Sequence, residues 1–243
     1  MSTPIMEALL SIMDRKDHWA WRHFSEGRAD RRQLLLHYRQ EYEVYVRDFP
    51  ILLSRVHARC PHAEVRRDLA ENLYEEETGG LSRGQPHPEL FLTMMEGLGF
   101  ARTDFESIDL IPEAAAYRAF IDQATTRRPW IEGAAVVTLF VEGSREERRH
   151  LATEGQEGGD VERELRGHFL VRHYGVDPRF LDLKRAHHAV ETGHRAMAWR
   201  MVLGHIRAGG GDARLVRLLE KTLALWLLYR DGVARACCIP VKL

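Results

Sequence analysis

Along nearly the whole chain the apolar residues recur at helical spacing, and no segment alternates apolar and polar positions as a half-buried strand does. Ile5, Leu9, Leu10 and Met13 mark a first helix from Pro4 to Met13. An aromatic cluster, His18 to Phe24, closes at Ser25–Gly27, and Asp30 caps a long helix from Arg31 to Asp48. Ile51 to Ala58 continues beyond Pro50 and stops at Cys60–Pro61, where X-Pro disfavours helix. Glu64 to Glu77 follows, then a Gly79–Pro86 break, then a helix opening at His87 and running through Leu98 to Gly99. Pro112 opens a helix through Ile121, and Pro129 opens Trp130 to Glu142. Gly143 to Asp160 is charged and reads as a partly helical surface excursion. Val161–Tyr174, Pro178–Leu203 and Asp212–Val233 complete the series, with Gly209–Gly211 as a hinge. The expectation is an all-α protein, a single domain over residues 1–243 built as a bundle of seven or eight helices.

Charge narrows the function. With 35 Lys and Arg against 36 Asp and Glu, the net charge of -1 gives no field for nucleic acid or an anionic membrane. A small-molecule substrate is therefore expected, without nucleic acid. No apolar run approaches the ~20 residues that span a bilayer, so no membrane partner is expected. Three cysteines, two of them adjacent (Cys237 and Cys238), do not form a disulfide framework and point to a cytoplasmic location. No Walker motif, GxGxxG or nucleophile elbow occurs.

The chemistry lies in acids and imidazoles. His187, Glu191 and His194 stand at i, i+4 and i+7 and share one helix face, which reads equally as a polar face or as a row of metal ligands. Leu69, Leu73 and Glu76 also share a face, placing a carboxylate at the inner end of an apolar stripe. Such burial needs a compensating cation, whereas Glu75–Glu77 as a run can equally be a solvated helix end. Glu142 ends an apolar helix, and His87 stands at a helix entrance, a position that also suits capping. Inward carboxylates and imidazoles from several helices are how di-iron and di-manganese sites are built, and oxygen with imidazole ligation suits redox-active iron or manganese. His57, Cys60 and His62 lie close in sequence, but no second pair supplies the other donors of a structural zinc site. Tyr38, Tyr42 and Tyr45 repeat at i, i+4, i+7, as core aromatics or as phenols on a pocket wall.

These stretches together resemble the haem-oxygenase-like dimetal oxidases and oxygenases, relatives of TenA and PqqC proteins. The resemblance is carried by Asn72-Leu-Tyr-Glu-Glu76-Glu with His87-Pro-Glu-Leu-Phe91, by the helix ending at Glu142, and by His187-x-x-x-Glu191-x-x-His194 after His173-Tyr-Gly175. It covers roughly residues 5 to 205. It implies a haem-oxygenase-like up-and-down bundle that generally lacks haem. It implies that Glu76, His87, Glu142, His187, Glu191 and His194 hold two iron ions, or manganese with iron, and that O2 is the co-substrate. An external electron donor and a homodimer are further implications. Trp21, Tyr38 and Tyr42 are the expected pocket walls. Members often carry Asp where this chain has Glu191, and Trp21 stands where the p-aminobenzoate-forming relative has a tyrosine. The rival readings are a TenA-like hydrolase, which needs a nucleophilic cysteine that Cys60 does not clearly match, a metal-free PqqC-like oxidase, and a non-enzymatic bundle that binds a small molecule or partner and keeps the acids as structural hydrogen-bonding groups.

Overall fold

The computed structural model describes residues 3–152, 160–206 and 211–241, apart from the side chains of Glu191 and Thr192. All of its regular structure is helical among the described residues. The long members are α1 (Pro4–Asp14), α3 (Arg31–Glu41), α4 (Phe49–Arg59), α5 (Ala63–Thr78), α6 (His87–Gly97), α7 (Pro112–Arg127), α12 (Asp182–His205) and α13 (Gly211–Ala236). Short helices fill the connections: α2 (Trp21–Ser25), α8 (Trp130–Ala134), α9 (Glu147–Ala152), α10 (Val161–Gly167) and α11 (Phe169–Tyr174). The Gly209–Gly211 hinge falls mostly on residues outside those described.

Local chemistry sets the boundaries. Thr3 caps α1 ahead of Pro4, and Asp30 with Gln33 makes a reciprocal capping box on α3. The expected helix from Val161 to Tyr174 is divided at His168, whose extended backbone ends α10 and whose ring Nδ1 accepts from Leu170 N to start α11.

Two expected helices change register midway. α3 passes into a π-helical turn over Tyr42–Val46, and α8 into another over Ala135–Val141. There the bonds run five residues back, Arg47 N to Tyr42 O at 3.0 Å and Glu142 N to Val137 O at 3.2 Å. Such turns admit one extra residue and recur at functional sites. The second crosses the middle of the molecule, with Ala134 to Val137 and Phe140 fully buried. Burying each larger apolar side chain there contributes roughly 1.5–3 kcal/mol, which offsets the imperfect backbone geometry. α13 covers this core, packing along α7 with Tyr229 stacked on Tyr117 at 5.8 Å.

At the end of α5, Gly79 adopts a left-handed φ of 62° and reverses the chain. A Cβ at Gly79 would lie 2.3 Å from the Gln85 carbonyl oxygen, so only glycine lets the loop return this tightly. The return sets the first residue of α6, His87, against the last turn of α5.

Candidate metal centre

His87 lies between two carboxylates of α5. Its Nε2 is 3.1 Å from Glu75 Oε1 and its Nδ1 2.9 Å from Glu76 Oε1. All three side chains are buried. Burial opposes a charge on the imidazole, but Glu76 and Glu75 together outweigh it and hold the His87 pKa above its ordinary value. Burial likewise opposes the Glu75 charge. Bonds from the Ser82 hydroxyl, from Leu81 N at 2.7 Å and from His87 prevail and lower its pKa. The Nδ1 contact with Glu76 lacks hydrogen-bond alignment, so this nitrogen and its neighbouring carboxylate face a common space without satisfying each other.

Glu142 leaves the end of the Ala135–Val141 turn and accepts from Asn72 Nδ2 at 3.2 Å. Asn72 is fully buried on α5, one turn before Glu76. The backbone flanking Glu142 is gripped by Lys16, just beyond α1, whose side-chain nitrogen donates to the carbonyls of Phe140 (2.5 Å), Val141 (3.3 Å) and Gly143 (2.6 Å). Buried Glu147 then ties this region to α12, accepting from Arg195 Nε, Trp199 Nε1 and the Ser144 N–H within 3.1 Å.

α12 supplies His187 and His194. The His187 ring lies 5.2 Å from that of His87, centroid to centroid. Loss of solvation, aided by Lys184 and the other imidazoles, holds His187 well below its ordinary pKa. Desolvation, with His87, brings His194 to about 4, and its buried Nε2 has no hydrogen-bond partner. Both are therefore neutral near pH 7 and keep a lone pair, the state a metal ligand needs.

Glu76, His87, Glu142, His187 and His194 all line one cavity of about 650 Å³. The sixth expected ligand, Glu191, lies on α12 between the two imidazoles, but its side chain is outside the described residues. Among the described residues, no three of these five donors lie within 4.8 Å of one another. Buried nitrogen lone pairs without partners beside anionic oxygens make a donor set that fits iron or manganese.

Elsewhere the wall is mostly apolar, with Phe24, Phe91, Met94 and Leu139. Trp21 and Tyr38 line it as expected from the sequence, and so does Tyr45. Tyr42 does not: its ring stacks on Phe91 at 5.4 Å and packs edge-on against Phe105. Sequence reasoning missed Glu75, the fully buried partner of His87, treating it as part of a charge run. It also missed a second polar region, where Arg230 of α13 donates from Nη2 to Tyr45 Oη at 3.2 Å while its Nη1, buried without a hydrogen bond, faces Glu41 Oε2 at 3.7 Å. No described cysteine lines the cavity, and burial raises the Cys60 thiol pKa, so the cysteine hydrolase reading gains no support.

A family model described as iron-containing redox enzyme matches residues 36–227. Among curated proteins, the 4-aminobenzoate synthase of Chlamydia pneumoniae is 39% identical over 62 residues, 26% of this chain and 27% of that protein. That of Chlamydia muridarum (strain MoPn / Nigg) is 28% identical over 102 residues, 42% of this chain and 41% of the relative. The chain thus aligns with less than half the length of these relatives. Two crystal structures share the fold. A TenA homolog from Pseudomonas syringae pv. tomato str. DC3000 superposes with a TM-score of 0.72 at 11% identity, covering 96% of this chain and 93% of that one. A TenA family transcription regulator from Silicibacter sp. TM1040 gives 0.57 at 10% identity, covering 93% and 96%.

Proposed function

The chain belongs to the family of iron-containing redox enzymes, and on that premise we propose that it is a non-haem di-iron oxidoreductase that uses O2 to oxidise a small organic substrate. The observation that carries this reading is the meeting in one cavity of Glu76, His87, Glu142, His187 and His194, with the His194 Nε2 lone pair buried and unpartnered. Iron, when bound, supplies the electron transfer and O2 chemistry that side chains lack.

The chain's own residues do the rest. Glu76 and Glu142, with Glu191 as the sequence implies, would offset the charge of two divalent ions inside a partly apolar wall. His187 and His194 present neutral imidazoles. Glu75 holds the remote nitrogen of His87 and so fixes which way that ring faces, the arrangement by which a carboxylate orients a ligating histidine. Phe24, Phe91, Met94 and Leu139 exclude water around the substrate.

Anaerobic Fe(II) titration tests the reading. The wild type is expected to take up close to two equivalents, His187→Ala and His194→Ala substantially less, and the iron-loaded protein to consume O2. Wild-type uptake in both variants would overturn this ligand assignment, and no iron uptake at all would overturn the reading and favour the metal-free oxidase.

A further inference from the structure

At the opposite ends of two helices that build the cavity, three more ligand-type side chains converge. His62 is the N-cap residue of α5, Glu64 stands in its first turn, and His205 is the last residue of α12. His62 Nδ1 and His205 Nε2 each lie 3.7 Å from Glu64 Oε1, and the three donor atoms all fall within 4.8 Å of one another. No other such trio occurs among the described residues. Three donors bound at about 2.0–2.2 Å in a tetrahedral zinc site stand about 3.4 Å apart, so two of these separations need to close by only about 0.3 Å.

The imidazoles are set for ligation. His205 Nδ1 lies 2.9 Å from the Met201 carbonyl oxygen, which can only accept, so this nitrogen carries the proton and Nε2 presents its lone pair to the trio. The two rings lie 4.3 Å apart, and the Trp130 ring stands 5.5 Å from each, walling one side of the cluster. Glu64 is exposed, and its pKa is lowered first by its own backbone N–H and then by the two imidazoles. Oxygen with two imidazoles suits a borderline divalent ion, zinc above all, with water completing the tetrahedron.

We propose that His62, Glu64 and His205 form a second metal site, for Zn2+, separate from the cavity and clipping the start of α5 to the end of α12. Twelve residues of α5 separate Glu64 from Glu76, and eleven of α12 separate His194 from His205, about 16–18 Å along each helix. The clip therefore makes no contact with the cavity donors. It fixes the far ends of the two helices that carry Glu76, His187 and His194, and so limits their sliding.

Co2+ serves as the probe, because tetrahedral cobalt absorbs in the visible far more strongly than six-coordinate cobalt. Chelator-treated wild type and a His187→Ala/His194→Ala variant are titrated beside Glu64→Gln, His62→Ala and His205→Ala. One tetrahedral equivalent is expected in wild type and in the cavity variant. It should be lost, or weakened at least about tenfold, in the other three. Zn2+ should displace the cobalt signal and raise the melting temperature of wild type but not of Glu64→Gln, whose exposed substitution leaves the fold intact. The proposal is overturned if Glu64→Gln and His205→Ala keep the tetrahedral signal, or if the cavity variant alone loses it. Iron uptake in the cavity is measured separately, so failure there leaves this result readable.

Discussion

Asn72 donates from Nδ2 to Glu142 Oε1 at 3.2 Å, joining the buried face of α5 to the end of the widened turn that carries Glu142. Asn72→Leu keeps the volume and deletes the donor. It is expected to cost about 1.5–3 kcal/mol in urea unfolding, the range for a hydrogen bond to a charged group. Fe(II) binding should weaken as well, because Glu142 then loses the amide that bonds its Oε1. A variant that loses stability but binds iron as the wild type does would assign Asn72 a purely structural role.

Glu75 touches the centre only through His87 and loop atoms. Glu75→Gln keeps an oxygen for Leu81 N but removes the charge behind the imidazole. Iron affinity is expected to fall about 10–100-fold, with the helical circular dichroism signal unchanged. Fe(II) titration checks it.

Asp48, which does not itself line the cavity, gives a pH signature. Bonds from Arg47 and then Arg118 outweigh burial and hold its carboxyl at about 2. A depressed folded pKa contributes stability that is fully present above the ordinary carboxylate value of about 3.9 and lost as pH falls through about 2. Urea unfolding of wild type and Asp48→Asn should therefore differ most above pH 4 and converge as the pH approaches 2.

Arg230 balances Glu41 inside the bundle and also bonds the Tyr45 hydroxyl. Arg230→Met removes the largest charge partner of the carboxylate and leaves it with His37 and Tyr45 beside it and the field of Lys184. A loss on the order of 2 kcal/mol is expected, below the ~3–5 kcal/mol of a fully buried broken pair because both side chains retain some solvent contact. Adding Glu41→Gln should restore part of it, as a double-mutant cycle in urea would show.

Much of this architecture was legible from spacing. Helical periodicity identified the bundle, and the shared phase of His187 and His194 placed both on the cavity wall. Phase reasoning failed where the helix itself changed step. The i, i+4, i+7 rule puts Tyr38, Tyr42 and Tyr45 on one face at 100° per residue, but the turn beginning at Tyr42 breaks that advance, and only Tyr38 and Tyr45 reach the cavity. Glu75 escaped notice because the apolar stripe ending at Glu76 is narrower than the face α5 actually buries, which also takes in Asn72 and Glu75. His62 was visible as a possible ligand, yet its partner His205 is 143 positions away and no local spacing could join them.

The widened turn over Ala135–Val141 makes segment length a chemical variable. Removing one residue between Ala135 and Val141 would restore a regular helix and leave the apolar composition almost unchanged. Because the wider winding absorbs that extra residue, Glu142 would keep nearly its present direction, whereas a deletion in the regular helix beside it would carry Glu142 about 100° around the axis, away from Asn72. A one-residue change inside the turn is therefore tolerated by rewinding, and the same change in the flanking regular helix moves the carboxylate.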